Sequence, residues 1–223
     1  MKKFTLLELL IVIVIIAILL SLLLPSLGRA KEKAKQVVCM NNTTQQYKVY
    51  VMYATNNSSK LPVVWTSSLK VFSPYFWSAT HANLPNKITM LKPYIGEFDI
   101  WNCPSVKSKV TVDQKTKKYN YVSYSYFPGR MDTPNVEANP FNLTDARADS
   151  EMVMMQDQVR DHRTSHGLGI WTNHKKGKLP EDLSSVYGIS MCFYDGHSEW
   201  EKGSKLVEVA TEANGVKLWS VDR

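Results

Sequence analysis

The chain has 223 residues, a formal net charge of +7 at pH 7 and 44% hydrophobic residues. After the apolar N-terminal segment, the remaining length is normal for one soluble domain with its own core. The basic residues are spread out or lie in short groups without a nucleic-acid recognition motif. We therefore expect solvated loops and no nucleic-acid partner.

A long apolar segment, residues 4–24, begins almost at the N-terminus. Its only polar residues are Thr5, Glu8 and Ser21. At about 1.5 Å per residue, a helix of this length is roughly 31 Å long, which is enough to cross the hydrocarbon core of a bilayer. A single segment in lipid must pair its backbone N–H and C=O groups internally, so we predict a spanning α-helix.

Glu8 is the unusual residue of this segment, because a carboxylate at mid-membrane is unfavourable by about 2.5–3.5 kcal/mol, and by less near an end. A cleaved secretory signal is a poor alternative, since the apolar run is too long and Gly28-Arg29-Ala30 is a poor cleavage site. A plain signal anchor fits the length but leaves Glu8 unexplained. Glu8 is therefore expected to need a cation.

The N-terminus resembles that of type IV pilin-like proteins, and most closely the major pseudopilins of type II secretion: KKFTLLELLIVIVIIAILLSLLLPSLGRAKEKA. It has a short basic leader, Phe-Thr-Leu-Leu-Glu, an unbroken apolar run, and Pro25 followed by a basic amphipathic continuation. The resemblance implies cleavage between Lys3 and Phe4, N-methylation of Phe4, and pairing of Glu8 with the new amine of a neighbouring subunit. The chain has Lys3 where the family most often has glycine before the cut.

The resemblance implies a structural subunit of a type II secretion pseudopilus or a type IV pilus-like filament, and not an enzyme. Its partners would be copies of itself, other pilin-like subunits, the prepilin peptidase and the inner-membrane assembly machinery. The chain would cross the bacterial inner membrane once, with its head in the periplasm or on the cell surface. Charge counting opposes this orientation, since the basic group at residues 29–35 follows the span while only Lys2, Lys3 and the amine precede it.

The predicted fold class is α+β, in which a long N-terminal transmembrane and assembly helix packs on a small C-terminal antiparallel β-sheet head. Three segments are expected: the leader (1–3), the transmembrane and amphipathic helix (4–55), and the periplasmic or extracellular globular head (56–223). Within the helix, Pro25 should introduce a kink, because proline removes a backbone hydrogen bond. The poor helix formers Asn41–Thr44 are expected to cause a local break.

Strand propensity concentrates in the second half of the chain. The strongest segment is 187–201, where Asp195-Gly196 suits a two-residue type I′ turn that would pair Met191 with Trp200. The other β-leaning segments are 119–127, 152–157 and 169–171. In the hairpin, one apolar face is expected to pack on the long helix, formed by Ile189, Met191, Phe193 and Trp200.

The three cysteines, Cys39, Cys103 and Cys192, contain no C-x-x-C pair, which argues against zinc knuckles and thioredoxin-type chemistry. One disulfide and one remaining thiol is a natural count for an exported protein, and buried free thiols are the alternative. The segments CMNNTTQQYKVYVMYATNN and WNCPS resemble the helix end and the second cysteine of a pseudopilin-like subgroup. The resemblance thus implies a disulfide between Cys39 and Cys103.

The alternative function is a single-pass membrane-anchored periplasmic metal-binding enzyme or binding protein. Its candidate ligands are Asp157, Asp161, His162, His166, His174, Asp195 and His197. No H-E-x-x-H or G-x-S-x-G motif accompanies them, so surface histidines are the simpler interpretation. Some pseudopilins hold calcium through loop oxygens, and on this resemblance the candidate calcium donors are Asp157, Asp161 and Asp195. The hairpin also resembles a subgroup element with a histidine shortly before Asp-Gly, but His174 lies much further from Asp195 than in that pattern.

Overall fold

The computed structural model describes residues 5–62, 90–96, 98–106, 123–126, 150–161, 170–175, 183–211 and 217–221. Two compact units make up the chain, Met1–Val37 and Val38–Arg223. Helix α1 is Leu6–Thr55, so the boundary between the units falls inside this helix.

The part of α1 in the first unit is apolar and exposed. Its large hydrophobic side chains between Leu6 and Leu27 are each at least 47% exposed. By length and composition, the helix is long and apolar enough to cross a membrane. The helix continues through Pro25. A stretch of this kind requires lipid or protein around it, because contiguous apolar surface of this size is unfavourable in water.

The predicted break at Asn41–Thr44 is wrong, because α1 is continuous there. The side chain of Asn42 is buried and donates from Nδ2 to the carbonyl of Asn102 at 3.1 Å and to the hydroxyl of Tyr124 at 3.2 Å. The hydroxyl of Thr43 bonds to a carbonyl of its own helix and to the sheet. These tertiary hydrogen bonds outweigh helix propensities, which differ by less than about 0.7 kcal/mol per residue.

Eight strands are described in the second unit. They are β1 (Tyr124–Tyr126), β2 (Val153–Asp157), β3 (Val159–Asp161), β4 (Ile170–Thr172), β5 (Gly188–Phe193), β6 (Ser198–Lys202), β7 (Leu206–Thr211) and β8 (Lys217–Val221). Short 3-10 helices are Lys92–Tyr94, Phe98–Trp101, Leu183–Ser185 and Gly203–Lys205. The strands form two four-stranded sheets, in the orders β1-β2-β5-β6 and β4-β3-β8-β7, and the pairings within them are antiparallel. The predicted α+β layout, a long N-terminal helix followed by antiparallel sheet, is confirmed.

The first sheet carries a hydrophobic core on each face. One core contains Tyr50 and Ala54 of α1 together with Trp101 and Tyr126. The rings of Tyr50 and Tyr126 stack with centroids 4.2 Å apart, and Trp101 meets Tyr50 edge-on at 6.0 Å. The second core is formed by side chains of β2, β3, β5 and β7 and of the segment that precedes β5. Its residues are Val153, Val159, Val186, Ile189, Met191, Phe193 and Leu206.

The β5–β6 hairpin is present, but the predicted register is wrong by one residue. Gly196 has a φ of +90° and Asp195 does not have a positive φ, whereas a type I′ turn needs a positive φ at both central residues. The amide of Gly196 donates to the carbonyl of Phe193 at 3.0 Å, and the amide of Phe193 donates to the carbonyl of His197 at 3.0 Å. The loop therefore has three residues instead of two, and Ser190 instead of Met191 lies opposite Trp200.

The face of β5 that meets the helix is also not the predicted one, and the register slip moves Trp200 away from the Met191 face. Ile189, Met191 and Phe193 pack in the second core and not on α1, contrary to prediction. The alternate residues face the helix: the hydroxyl of Ser190 lies 3.2 Å from that of Thr43, and Cys192 shares a core with Tyr50. Trp200 lies on the Ser190 face.

Asn42 provides a test of the polar contacts that hold α1 on the head. Replacing Asn42 with alanine removes two buried hydrogen bonds and should lower the free energy of unfolding by about 1–3 kcal/mol. Asn41→Ala is the matched control, because its side chain is exposed one residue away and the change should stay within about 0.5 kcal/mol. Denaturant unfolding of the full chain in detergent, followed by tryptophan fluorescence, measures both. Equal effects of the two substitutions would contradict this account.

Gly196 tests the three-residue turn. A Cβ at Gly196 would lie 2.6 Å from Cε1 of Tyr47, and the φ of +90° is strained for an L-amino acid. We expect Gly196→Ala to lower the free energy of unfolding by about 1–3 kcal/mol. At Gly96 a Cβ meets nothing within 4 Å, so Gly96→Ala should change it by less than about 1 kcal/mol. The turn assignment fails if Gly196→Ala is as stable as Gly96→Ala in the same unfolding measurement.

Candidate functional site

Four side chains that could bind a metal converge inside the second unit. They come from α1 (Cys39), from the loop after a 3-10 helix (Cys103), from the end of β2 (Asp157) and from the segment after β4 (His174). One donor atom from each of these residues lies within 4.8 Å of every other. All four residues are between 0% and 2% exposed. We call this group the Cys-Asp-His cluster.

His174 Nε2 lies at the centre of the cluster. It is 3.1 Å from Cys39 Sγ, 3.3 Å from Cys103 Sγ and 3.7 Å from the Oδ2 atom of Asp157. The two sulfur atoms are 3.0 Å apart, and both cysteines are free thiols. The imidazole nitrogen therefore faces both sulfurs and the carboxylate at once.

A second layer of polar groups fixes the acid of the cluster. Asp157 accepts a hydrogen bond on Oδ1 from Nδ2 of Asn173 at 2.8 Å and another on Oδ2 from the backbone amide of Ser190 at 2.8 Å. The Asn173 side chain also donates to the carbonyl of Ser123. Asp157 is thus held between β1, β5 and the segment after β4, and its carboxylate has one orientation.

The imidazole of His174 is fixed in the same way. Its Nδ1 lies 3.3 Å from the hydroxyl of Ser105, and the ring meets the edge of Trp200 at a centroid distance of 4.8 Å. Trp200 reaches this position because it shares a sheet face with Ser190. The register of the β5–β6 hairpin therefore contributes directly to the geometry of the cluster.

The pKa values of the two cysteines are shifted in opposite directions. Burial raises the pKa of Cys103, but hydrogen bonds from Cys39 and His174 outweigh it and lower this pKa to about 5. The pKa of Cys39 is raised above its usual range, because its thiol donates to Cys103 and is itself buried. Cys103 is accordingly the thiolate of the pair and Cys39 the proton donor. Burial and the nearby Cys103 thiolate raise the pKa of Asp157 to about 7, although His174, Asn173 and the Ser190 amide act in the opposite direction.

None of the family models, curated proteins or solved structures compared with this chain matches it.

The sequence-predicted site residues are only partly brought together. Cys39 and Cys103 are neighbours, as the resemblance implies, but they are thiols here and the disulfide between them stays a prediction. Of the candidate calcium donors, Asp157 is buried in the Cys-Asp-His cluster, while Asp195 lies in the hairpin turn and bonds to His197. Asp161 lies in β3, and its side chain is outside the described residues, as are His162 and His166. The calcium site therefore also stays a prediction.

The start of α1 gives Glu8 a partner that sequence reasoning missed. Thr5 donates to Oε2 of Glu8 from both its backbone amide and its hydroxyl, each at 2.8 Å, and the Glu8 amide donates to the Thr5 hydroxyl at 3.2 Å. This is a capping box, which the pattern T-x-x-E before an apolar run predicts. Lys3 and Phe4 lie outside the described residues.

Cys103 gives a pH dependence that can be measured. The pKa of Cys103 is about 5 in the folded chain, against a usual value of 9.0. Between pH 5 and pH 9 the unfolded chain therefore binds more protons than the folded chain, so the free energy of unfolding rises with pH. The raised pKa of Asp157 acts in the opposite direction, chiefly below about 7, and reduces the rise above that pH. From about pH 7 to about pH 8, the free energy of unfolding should thus rise by up to roughly 1.4 kcal/mol.

The measurement is unfolding of the full chain in detergent, with reductant and a metal chelator present. Cys103→Ala should abolish the rise with pH, whereas Cys192→Ala should retain it, since burial raises the pKa of Cys192 to about 11 and keeps its thiol protonated throughout this range. If Cys103→Ala keeps the slope of the wild type, Cys103 is not the thiolate.

Proposed function

We propose that the chain is a single-pass membrane-anchored, pilin-like subunit that assembles through its N-terminal helix into a type II secretion pseudopilus or a related filament. The observation that carries this proposal is the exposed apolar stretch of α1, which contains one acid, and that acid lies in its first turn. Lipid would cover this stretch before assembly. Helices of neighbouring subunits would cover it afterwards, where burial of apolar surface is worth about 25 cal/mol per Å².

The capping box does not remove the need for a cation at Glu8. It supplies hydrogen bonds from neutral donors to Oε2, while a carboxylate has two oxygens and further acceptor capacity. An ionised acid in lipid remains unfavourable until an opposite charge approaches it, because hydrogen bonds alone do not neutralise it. The freed amine of Phe4 on a neighbouring subunit would supply that charge, so the unpaired monomer is the less favourable state and assembly is favoured.

Two roles of Glu8 can be separated by one substitution. Glutamine also serves in a capping box, so Glu8→Gln keeps the helix cap and removes only the charge. We expect Glu8→Gln to insert into membranes like the wild type but to be depleted from filaments by at least about tenfold, which corresponds to a loss of roughly 1.4 kcal/mol. Glu32→Gln is the control, because Glu32 lies on α1 beyond the apolar stretch and pairs with Lys35 at 3.8 Å.

Co-expression of tagged mutant and wild-type chains, followed by shearing and quantification of both in the filament fraction, measures incorporation. Mass spectrometry of the membrane form is the second readout, and a chain that begins at N-methylated Phe4 is expected. Equal incorporation of Glu8→Gln and wild type would reduce Glu8 to a capping residue. An N-terminus that remains at Met1 in assembled material would reject the proposal as a whole.

The alternative, an anchored metal-binding protein or enzyme, is favoured by one observation, the Cys-Asp-His cluster. Metal binding at this cluster is compatible with filament assembly, because the cluster lies in the second unit while Glu8 and the apolar stretch lie in the first.

A further inference from the structure

We propose that Cys39, Cys103, Asp157 and His174 bind one zinc ion that has a structural role in the head. The inference does not depend on filament assembly, because it rests only on side chains within the second unit. It also differs from the calcium site expected from the sequence in the metal and in three of its four ligands, since only Asp157 is common to both.

The donor atoms select the metal. Two cysteine sulfurs and an imidazole nitrogen suit zinc, whereas calcium and magnesium take oxygen ligands almost exclusively. Four protein donors complete the tetrahedral coordination of zinc, which is the composition of structural sites, while catalytic sites have three protein ligands and keep a position open for water or substrate. The burial of all four residues, at 0–2% exposure, also fits a closed site.

The groups around the donors are those that orient metal ligands. A histidine that binds zinc through one nitrogen almost always has a hydrogen-bonding partner on the other. His174 has this arrangement, since Nε2 faces the two sulfurs and Nδ1 lies 3.3 Å from the Ser105 hydroxyl. Asp157 is held by Asn173 and by the Ser190 amide, each at 2.8 Å. The ligands are thus oriented before any ion arrives.

A disulfide would account for only two of the four residues. Forming it removes two electrons and any remaining thiol proton from Cys39 and Cys103, and it leaves the buried His174 and Asp157 side chains facing sulfurs with no charge to attract them. Zinc accounts for all four, because the ion displaces any proton that remains on the two sulfurs, and that proton is released to solvent. Both thiolates and the carboxylate are then next to a cation, and no oxidant is needed.

Binding of zinc would stabilise the head by joining segments that are distant in sequence. The four ligands come from positions 39, 103, 157 and 174, so the ion would connect α1 to β2 and to both loops. A site assembled from such distant segments does not exist in the unfolded chain. Its binding free energy therefore appears as folding free energy.

The experiment uses the full chain in detergent, purified from membranes without chelator, with thiols trapped by alkylation in a parallel sample. Elemental analysis should find about one zinc per chain. The reduced, metal-free protein titrated with Co²⁺ should develop the visible d–d bands and the sulfur-to-metal charge-transfer band of a tetrahedral cobalt thiolate site. The cobalt spectrum needs no substitution, so it does not depend on whether a variant folds.

Matched variants then locate the site. Cys39→Ala, Cys103→Ala and His174→Gln should each lose at least about tenfold in zinc affinity, the lower end of the effect of removing an outer-shell partner of a metal ligand. Cys192→Ala and His197→Gln should bind like the wild type, since Cys192 lies in a hydrophobic core and His197 in the exposed hairpin. Circular dichroism of each variant checks its fold.

Three results would overturn the proposal. They are the failure of the reduced wild-type protein to bind zinc or cobalt, equal metal binding by Cys39→Ala and Cys192→Ala, and recovery of Cys39 and Cys103 as a disulfide in the protein trapped in its native membrane. Loss of filament assembly with normal zinc content would contradict only the proposed function. Glu8→Gln should keep its zinc whatever its effect on assembly, because Glu8 is not among the ligands of this site.

Discussion

The structure of the head depends on how a fully buried carboxylate is accommodated. Asp157 has no exposure to solvent, and an isolated charge in such a place is too unfavourable to persist. Two N–H donors and an imidazole surround it, and they come from two different segments of the chain. The hydrogen bonds to the Asp157 carboxylate therefore form only when β5 and the segment after β4 are in their native positions. The same requirement places His174 next to the two thiols.

Helix α1 meets two different environments along its length. From Leu6 to Leu27 its apolar side chains are exposed, whereas Tyr50 and Ala54 are buried in the core of the head. Between these parts, the buried side chains of Asn42 and Thr43 make hydrogen bonds that the hydrocarbon of a bilayer could not supply. The polarity of Asn42 and Thr43 is thus explained by packing on the sheet and not by a break in the helix.

Much of the fold follows from local sequence patterns. The apolar run and the helical spacing predict α1, and Asp195-Gly196 between two β-leaning segments predicts a hairpin. The register was missed because a three-residue loop and a two-residue loop share the same Asp-Gly signal, and the choice depends on backbone geometry at Gly196 beside Tyr47. Strands β3, β7 and β8 were also missed; β3 is only three residues long and its pairing is set by partners elsewhere in the sheet.

The candidate site was harder to predict than the fold. The proximity of Cys39 and Cys103 followed from a family resemblance, but His174 and Asp157 were only two of seven scattered candidates. Metal-site motifs rely on ligands a few residues apart, and here each ligand comes from a different segment. No short spacing therefore signals the cluster. The second-layer residues Ser105 and Asn173 carry no sequence signal, because a serine or asparagine in a loop is common for many other reasons.

The position of the Thr5–Glu8 cap has a consequence for the proposed cleavage of the leader. Among the described residues, the Leu9 amide donates to the Thr5 carbonyl, and this bond and the capping contacts of Thr5 and Glu8 lie downstream of the peptide bond between Lys3 and Phe4. Severing that bond would break none of these contacts. The proposed precursor and mature chain would therefore share these contacts at the start of the helix, and the cut would remove Met1, Lys2 and Lys3 and leave a new amino group on Phe4.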